Sequence, residues 1–262
     1  MILGADAHDP KLEPYRHVGD PAWLVARQLF VAEGRRVVER LLASGQHAFE
    51  SVAVTPAAYG ALKSRLDAAP CDVYVTDPAA LESVTGFNFH RGCLALVHRP
   101  PERALADMLD GRRLVALEGV GNPDNVGGIF RTAAALGASG VVLDAACGDP
   151  LYRKAIRTSM GATLSLPWVR APAWRGALAA LQHAGFRIAA LTPAPGAASI
   201  EDFARSVGPA DRVVIALGAE GQGLSEETLQ HADVRVRIPI ESTVDSLNVV
   251  IAAGIALDRL RS

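Results

Sequence analysis

Cysteine is scarce: Cys71, Cys93 and Cys147 are the only three in 262 residues, and they share no paired spacing. That scatter excludes a disulfide framework and a cysteine-based zinc site, and it reads as thiols kept reduced. No apolar run reaches the roughly 20 residues of a membrane-crossing helix. The opening MILGADAHDP lacks the basic-then-apolar order of a secretory leader. The expectation is a cytoplasmic protein without a metal. Also missing are the dinucleotide glycine spacing, any GK[ST] phosphate loop, a GxSxG elbow and an HExxH array, which disfavours nicotinamide, nucleoside-triphosphate, serine-hydrolase and zinc-protease chemistry. Neither charge sign dominates. Lys plus Arg number 26 against 28 Asp plus Glu, a formal charge of −2. That excludes a surface given over wholly to nucleic acid and leaves room for local basic clusters.

What is present is a half-apolar chain, enough for a substantial core. Strand-like and helix-like runs alternate: LFVAEG, GRRVVERLLASG, ESVAVT, PAAYGALKSRLDAA, DVYVT and CLALVHR. HRPPERA, 98–104, has the composition of a linker. The predicted division is therefore 1–100 and 101–262. Beyond the linker RLVALEG, NVGGIFRTAAALG, GVVLDA and PLYRKAIRTSMG restart the alternation. WRGALAALQHAG, FRIAALTP, RVVIALG, LSEETLQHA, VRVRIPI and SLNVVIAAGIALDRLRS continue it. Short apolar strands separated by helices predict an α/β fold with a mostly parallel sheet covered on both faces.

Three stretches resist a purely structural reading. In EGVGNPDNVGGIFRTAAALG, 118–137, Val126, Ile129, Phe130 and Ala133 form a buried helical stripe that excludes Arg131. Gly127 and Gly128 each cost that helix up to about 1 kcal/mol relative to Ala. Either they permit close packing, or they clear a path for Arg131 to lean back toward Asn125. ALGAEGQGLSEE, 216–227, sets Gly218, Gly221 and Gly223 around Glu220 at a strand's end, where open α/β sheets bind ligands. In RIPIESTVDSLNVVIAAGIAL, 237–257, Ser246 reads as the N-cap of an aliphatic helix. Asn248, in the first turn, is a polar amide that needs a specific partner.

The order and content of these stretches resemble the SpoU (TrmH-type) RNA 2′-O-ribose methyltransferases of the SPOUT superfamily. N-x-G-x-x-x-R is matched by Asn125, Gly127 and Arg131. G-x-E-G-x-G-L is matched by Gly218, Glu220, Gly221, Gly223 and Leu224, and I-P followed by S-L-N-V by Ile238-Pro239 and Ser246 to Val249. RKAIRTSMGATLSLPWV resembles the family's R-x-S-x-G-A segment, so the likeness covers roughly 115–260. Ser242 and Thr243 stand where the family often has glycine. FVAEGRRVVERLL and FHRGCLALV resemble, more weakly, the family's N-terminal substrate-binding domain, whose fold is like that of small ribosomal RNA-binding proteins. Many relatives have H-Q-G where this chain has His90-Arg91-Gly92.

The resemblance implies a C-terminal domain threaded into a trefoil knot, with S-adenosylmethionine (AdoMet) held by Leu217, Gly218, Gly221, Ile238, Ile240 and Leu247. It implies catalytic roles for Asn125, Arg131, Glu220, Ser246 and Asn248, with Arg131 beside the ribose 2′-hydroxyl and Glu220 fixing Asn125 or Arg131. A guanidinium keeps its proton at any accessible pH, so an electrostatic role suits Arg131 better than that of a base. Arg35, Arg91, Lys154 and Arg157, with Arg36 and Arg153 nearby in sequence, are the candidate RNA contacts. The implied partners are RNA, rRNA before tRNA, and a second copy of the chain. The competing expectation is a non-catalytic RNA- or ribosome-binding protein that retains the fold. If Gly128 clears space for Arg131 and RNA, Gly128→Leu should impair methylation more than AdoMet binding.

Overall fold

A computed structural model describes residues 2–86 and 91–261. His90 therefore lies outside the described residues. The strands are β1 (Ile2–Gly4), β2 (Leu29–Glu33), β3 (Phe49–Val54), β4 (Asp72–Val75), β5 (Cys93–His98), β6 (Arg113–Glu118), β7 (Gly140–Leu143), β8 (Trp168–Arg170), β9 (Phe186–Leu191), β10 (Ala198–Ser199), β11 (Arg212–Gly218) and β12 (Val234–Arg237). The α-helices are α1 (Pro21–Ala26), α2 (Arg35–Ser44), α3 (Pro56–Asp67), α4 (Pro78–Thr85), α5 (Pro123–Ala135), α6 (Arg153–Thr158), α7 (Trp174–His183), α8 (Ile200–Arg205), α9 (Glu226–His231) and α10 (Val249–Arg259). The chain divides into two units, 1–101 with 151–161, and 102–150 with 162–262.

The first unit carries a five-stranded sheet in the order β1-β4-β3-β5-β2. Strand β5 runs antiparallel to β2 and β3, and the other pairs are parallel. All five residues of β2 are buried, as expected of a strand covered on both faces. Leu12, Tyr15, Val31, Tyr74, Leu94 and Leu96 share one core cluster. Within it the buried Tyr15 hydroxyl pairs with Ser51 Oγ at 2.8 Å, so its polar end is satisfied. Helix α6 belongs to this unit. It is shorter than the run PLYRKAIRTSMG suggested, buries Ala155 and Ile156, and sets Arg153 Nη1 3.4 Å from Glu33 Oε2. Arg40 Nη1 also donates to Met160 O at 2.9 Å.

The second unit is built on a seven-stranded, wholly parallel sheet ordered β10-β12-β9-β11-β6-β7-β8. Leu114, Ala116, Val142, Ile188, Val214 and Ala216 cluster with Leu178 and Leu181 of α7. Strand β11 enters between β6 and β9, which places Gly218 opposite Glu118. Three short elements, β8, β10 and α8, carry too few residues for periodicity to show. Helix α8 is nonetheless capped by Ser199, whose Oγ accepts from Asp202 N at 3.0 Å. Helix α5 begins at Pro123, two residues before Asn125, with Asn122 Oδ1 accepting from Asp124 N at 2.9 Å.

None of the three cysteines forms a disulfide. Burial raises the half-buried Cys71 to about 11 and the buried Cys93 and Cys147 to about 12, so each stays protonated at neutral pH. Alkylation by iodoacetamide at about pH 8 should label native protein at least about tenfold more slowly than denatured protein, in which thiols ionise near 8.5. Rapid labelling of native protein, read by mass spectrometry, would contradict this burial.

Candidate active site

The site grows from the carboxyl ends of two neighbouring strands. In the β6–β11 register Leu117 faces Leu217 and Glu118 faces Gly218. The chain then folds back on itself, with Gly223 N donating to Ala219 O at 2.9 Å. Gly221 and Gly223 hold φ of +85° and +70°, a region that favours glycine. At Gly218 a Cβ would lie 2.1 Å from Gly223 C and 2.3 Å from Leu224 N, so a side chain there would collide with backbone. Glu118 Oε2 accepts from Ser225 N at 3.1 Å and anchors the far end of the loop. Glu220 is left exposed at its tip.

Asn248 answers the question raised by a lone amide in an aliphatic helix. It is the N-cap of α10, its Oδ1 accepting from Val250 N at 2.9 Å. Ser246, expected in that position, lies two residues too early and lines the adjoining cavity instead. Asn248 Nδ2 donates to Asn125 Oδ1 at 3.3 Å and to Glu220 Oε1 at 3.1 Å. A backbone N–H can only donate and a carboxylate only accept, so Val250 and Glu220 together set which way the Asn248 amide faces. Asn125 must then present its oxygen to Asn248, which leaves its Nδ2 donors for other partners. Glu220 thus bonds Asn248, not Asn125 or Arg131 as the resemblance suggested.

Asn125 is 7% exposed and lies in the first turn of α5. Arg131 stands six residues on, about 9 Å along the axis. It is exposed on the helix surface. Of the two helix glycines between them, Gly128 serves packing. A Cβ on Gly128 would come within 2.8 Å of Val250 Cγ2 and 3.0 Å of Cγ1. On the other helix, a Cβ on Gly254 would sit 3.4 Å from Thr132 Cγ2. The path-clearing role for Gly128 is therefore replaced by close approach of α5 and α10.

Beside this cluster lies a cavity of about 540 Å³. Leu217, Gly218, Gly221, Ile238, Ile240 and Leu247 all line it, with Glu220, Ser246 and Asn248. Asn125 and Arg131 are not among its lining residues. Sequence reasoning missed Leu191, Thr192 and Pro193, at the end of β9, although ligand binding at strand carboxyl ends points to them. It also missed Val249 and Ala252 of α10, whereas Gly223 and Asp245 lie in the two loops that the resemblance set against the cofactor.

Arg35, Arg91, Lys154 and Arg157 all belong to the first unit. Arg35 is exposed in the first turn of α2, and Lys154 and Arg157 are half-buried on α6. Arg91 Nε lies 3.6 Å from Glu33 Oε1. The buried Glu33 carboxylate thus faces both Arg91 and Arg153. Among the described residues no group of three His, Cys, Asp or Glu could hold a metal ion, and no helix is long and apolar enough to cross a membrane.

A glycine-walled cavity thus lies at the carboxyl ends of parallel strands, edged by Glu220 and Asn248, where α/β proteins bind small ligands. The model of the SpoU rRNA Methylase family matches residues 112–258, and the chain belongs to that family of RNA methyltransferases. A Mycobacterium tuberculosis protein named as an uncharacterized tRNA/rRNA methyltransferase is 39% identical over 265 residues, covering 98% of this chain and 91% of that protein. The crystal structure of an AdoMet-bound rRNA methyltransferase from Sinorhizobium meliloti matches with TM-score 0.83 and 25% identity, covering 99% of this chain and 97% of that one. A crystal structure described as an RNA 2′-O ribose methyltransferase matches with TM-score 0.78 and 26% identity over 99% of this chain and 98% of that one.

Val249, next to Val250, and Ala252, two residues further on, line the cavity, so pushing on Val250 disturbs the cavity wall. Gly128→Leu is expected to destabilise the protein by about 1–3 kcal/mol, the usual cost of overpacking. It should also weaken ligand binding in the cavity, in place of a loss confined to methyl transfer. Urea denaturation with and without ligand reads both effects, and unaltered ligand stabilisation would contradict the coupling.

Proposed function

We propose that this protein transfers a methyl group from AdoMet to a ribose 2′-hydroxyl of structured RNA, rRNA in preference to tRNA. The observation that carries the reading is the Asn125–Asn248–Glu220 cluster at the wall of the cavity, which joins all three motif segments. The cavity suits the cofactor. Its 540 Å³ falls within the range of about 300–1,000 Å³ usual for small-molecule sites. Leu217, Ile238, Ile240 and Leu247 offer apolar walls for a planar base, and the 218–223 loop brings backbone close. Its lining includes the carboxylates of Glu220 and Asp245 and, among the described residues, no Lys, Arg or His, a charge balance suited to a sulfonium and an ammonium.

When bound, AdoMet supplies an electrophilic methyl group on its sulfonium. The protein's share is positioning and electrostatics. A guanidinium keeps its charge throughout the accessible pH range, so Arg131 holds an RNA phosphate and stabilises negative charge developing on the 2′-oxygen. Asn125, oriented through Asn248, offers its Nδ2 donors to the same region. Ser246, on the cavity wall, completes the set. Arg35, Arg91, Lys154 and Arg157 grip RNA phosphates, which makes affinity fall with salt without defining the target nucleotide.

Pairing of two copies belongs to this reading. It is supported by the exposure of Val244, in the loop that leads to α10, and Ile251, in the helix's first turn, which are 52% and 54% exposed. The family's knotted chain path and a cytoplasmic setting belong to it as well.

The test is methyl transfer from radiolabelled AdoMet to total RNA of cells lacking the gene, with mapping of 2′-O-methyl positions. Arg131→Ala should lower the rate about 100-fold or more, the scale seen when an oxyanion donor is removed. AdoMet affinity measured by calorimetry should hold. Absence of AdoMet binding by the wild-type protein would refute the reading and favour a non-catalytic RNA-binding role. Methylation on a base would refute the 2′-hydroxyl assignment alone.

A further inference from the structure

We infer that Asp144 and Arg170, outside all the motifs, are positioning residues for methyl transfer: they hold the turn from which α5 carries Asn125 and Arg131. The inference rests on the function proposed above. Arg170 ends β8 beside Leu143, the last residue of β7. Its guanidinium donates to three carbonyls of the following loop, Nη1 to Asp144 O at 2.9 Å and Cys147 O at 3.0 Å, and Nη2 to Gly148 O at 3.3 Å. The Asp144 carboxylate closes the same loop from within, Oδ1 accepting from Ala146 N at 3.1 Å and Cys147 N at 2.8 Å. The planar fork of arginine reaches several acceptors at once, which the single ammonium of lysine does not reproduce.

This braced loop grips the segment between β6 and α5 at three successive residues. Asp144 Oδ2 accepts from Gly119 N at 3.0 Å, and Gly148 N donates to Val120 O at 3.0 Å. Gly148 lies so close to Gly121 that a Cβ there would stand 2.7 Å from the Gly121 carbonyl oxygen. Gly119 has φ +68°, a conformation that glycine permits but does not select, so the turn depends on these external bonds for its shape. Asn122, the next residue, caps α5. Loosening the 144–148 loop thus frees the amino end of the helix that carries Asn125 and Arg131. Neither Asp144 nor Arg170 lines the cavity, so cofactor affinity has no direct stake in the network.

The test compares wild type with Arg170→Lys, Arg170→Gln and Asp144→Asn, each as full-length protein. Single-turnover methyl transfer to RNA from cells lacking the gene is measured with AdoMet binding by calorimetry and hydrogen exchange at Gly119. The rate should fall about tenfold or more in Arg170→Gln, as small misplacements of reacting groups do, and less in Arg170→Lys. AdoMet affinity should stay within about twofold, an energy change of about 0.4 kcal/mol. Exchange at Gly119 should quicken in step with the loss of rate. Unchanged rates in all three variants, with wild type active, would overturn the inference. So would rate losses matched by equal losses of AdoMet affinity, the pattern of general structural damage. A wild-type protein that transfers no methyl group would overturn the functional reading and this inference with it.

Discussion

The side-chain amide of Asn248 makes three hydrogen bonds, and the geometry of the site depends on them. Its oxygen caps α10, and its nitrogen joins Asn125 of α5 to Glu220 of the loop after β11. Both N–H donors and one acceptor position are used. A neutral hydrogen bond contributes about 0.5–1.5 kcal/mol net, and one to a charged group about 1.5–3. The bond to Glu220 is therefore expected to dominate, reduced by the carboxylate's exposure. Three segments meet at this amide, drawn from positions 28 and 123 residues away along the chain.

Its position follows from the sheet. Strand β11 lies between β6 and β9, so Gly218 reaches the carboxyl edge beside Glu118. The backbone contact at Gly218 then folds the Glu220 loop back over the strand end. On the other side, the fit of Val250 against Gly128 sets the separation of α5 and α10. Bulk at Gly218 or Gly128 would displace a partner of Asn248 and so disturb its hydrogen bonds, although neither glycine takes part in them. Close packing and polar contacts thus specify a single arrangement together.

Much of this is legible in the order of the residues. Alternating apolar strands and amphipathic helices mark a parallel α/β unit, and the three motif segments mark where its ligand cavity lies. Family likeness, not residue patterning, supplies the link between those segments. Ser246 and Asn248 are both good capping residues, and only the backbone angles show which one precedes the helix. Gly128 is ambiguous because a helix glycine serves clearance and packing equally well until its neighbour, Val250, is known. Leu191 to Pro193 join the cavity through the order of strands, which local sequence does not encode. The membership of 151–161 in the first unit is marked by the part-buried pairing of Arg153 with Glu33 and the bond from Arg40 to Met160, each 120 residues apart and invisible to any local pattern.

Asn248 joins the cavity wall to helix α5 through its nitrogen, apart from its capping oxygen. Asn248→Ser separates the two roles, because serine is as good a cap as asparagine but cannot bridge. Single-turnover methyl transfer by this variant is the most direct measurement. The rate should fall at least about tenfold, in line with loss of a hydrogen bond to a charged group, while the melting temperature stays near that of wild type. A serine variant as fast as wild type would contradict the claim.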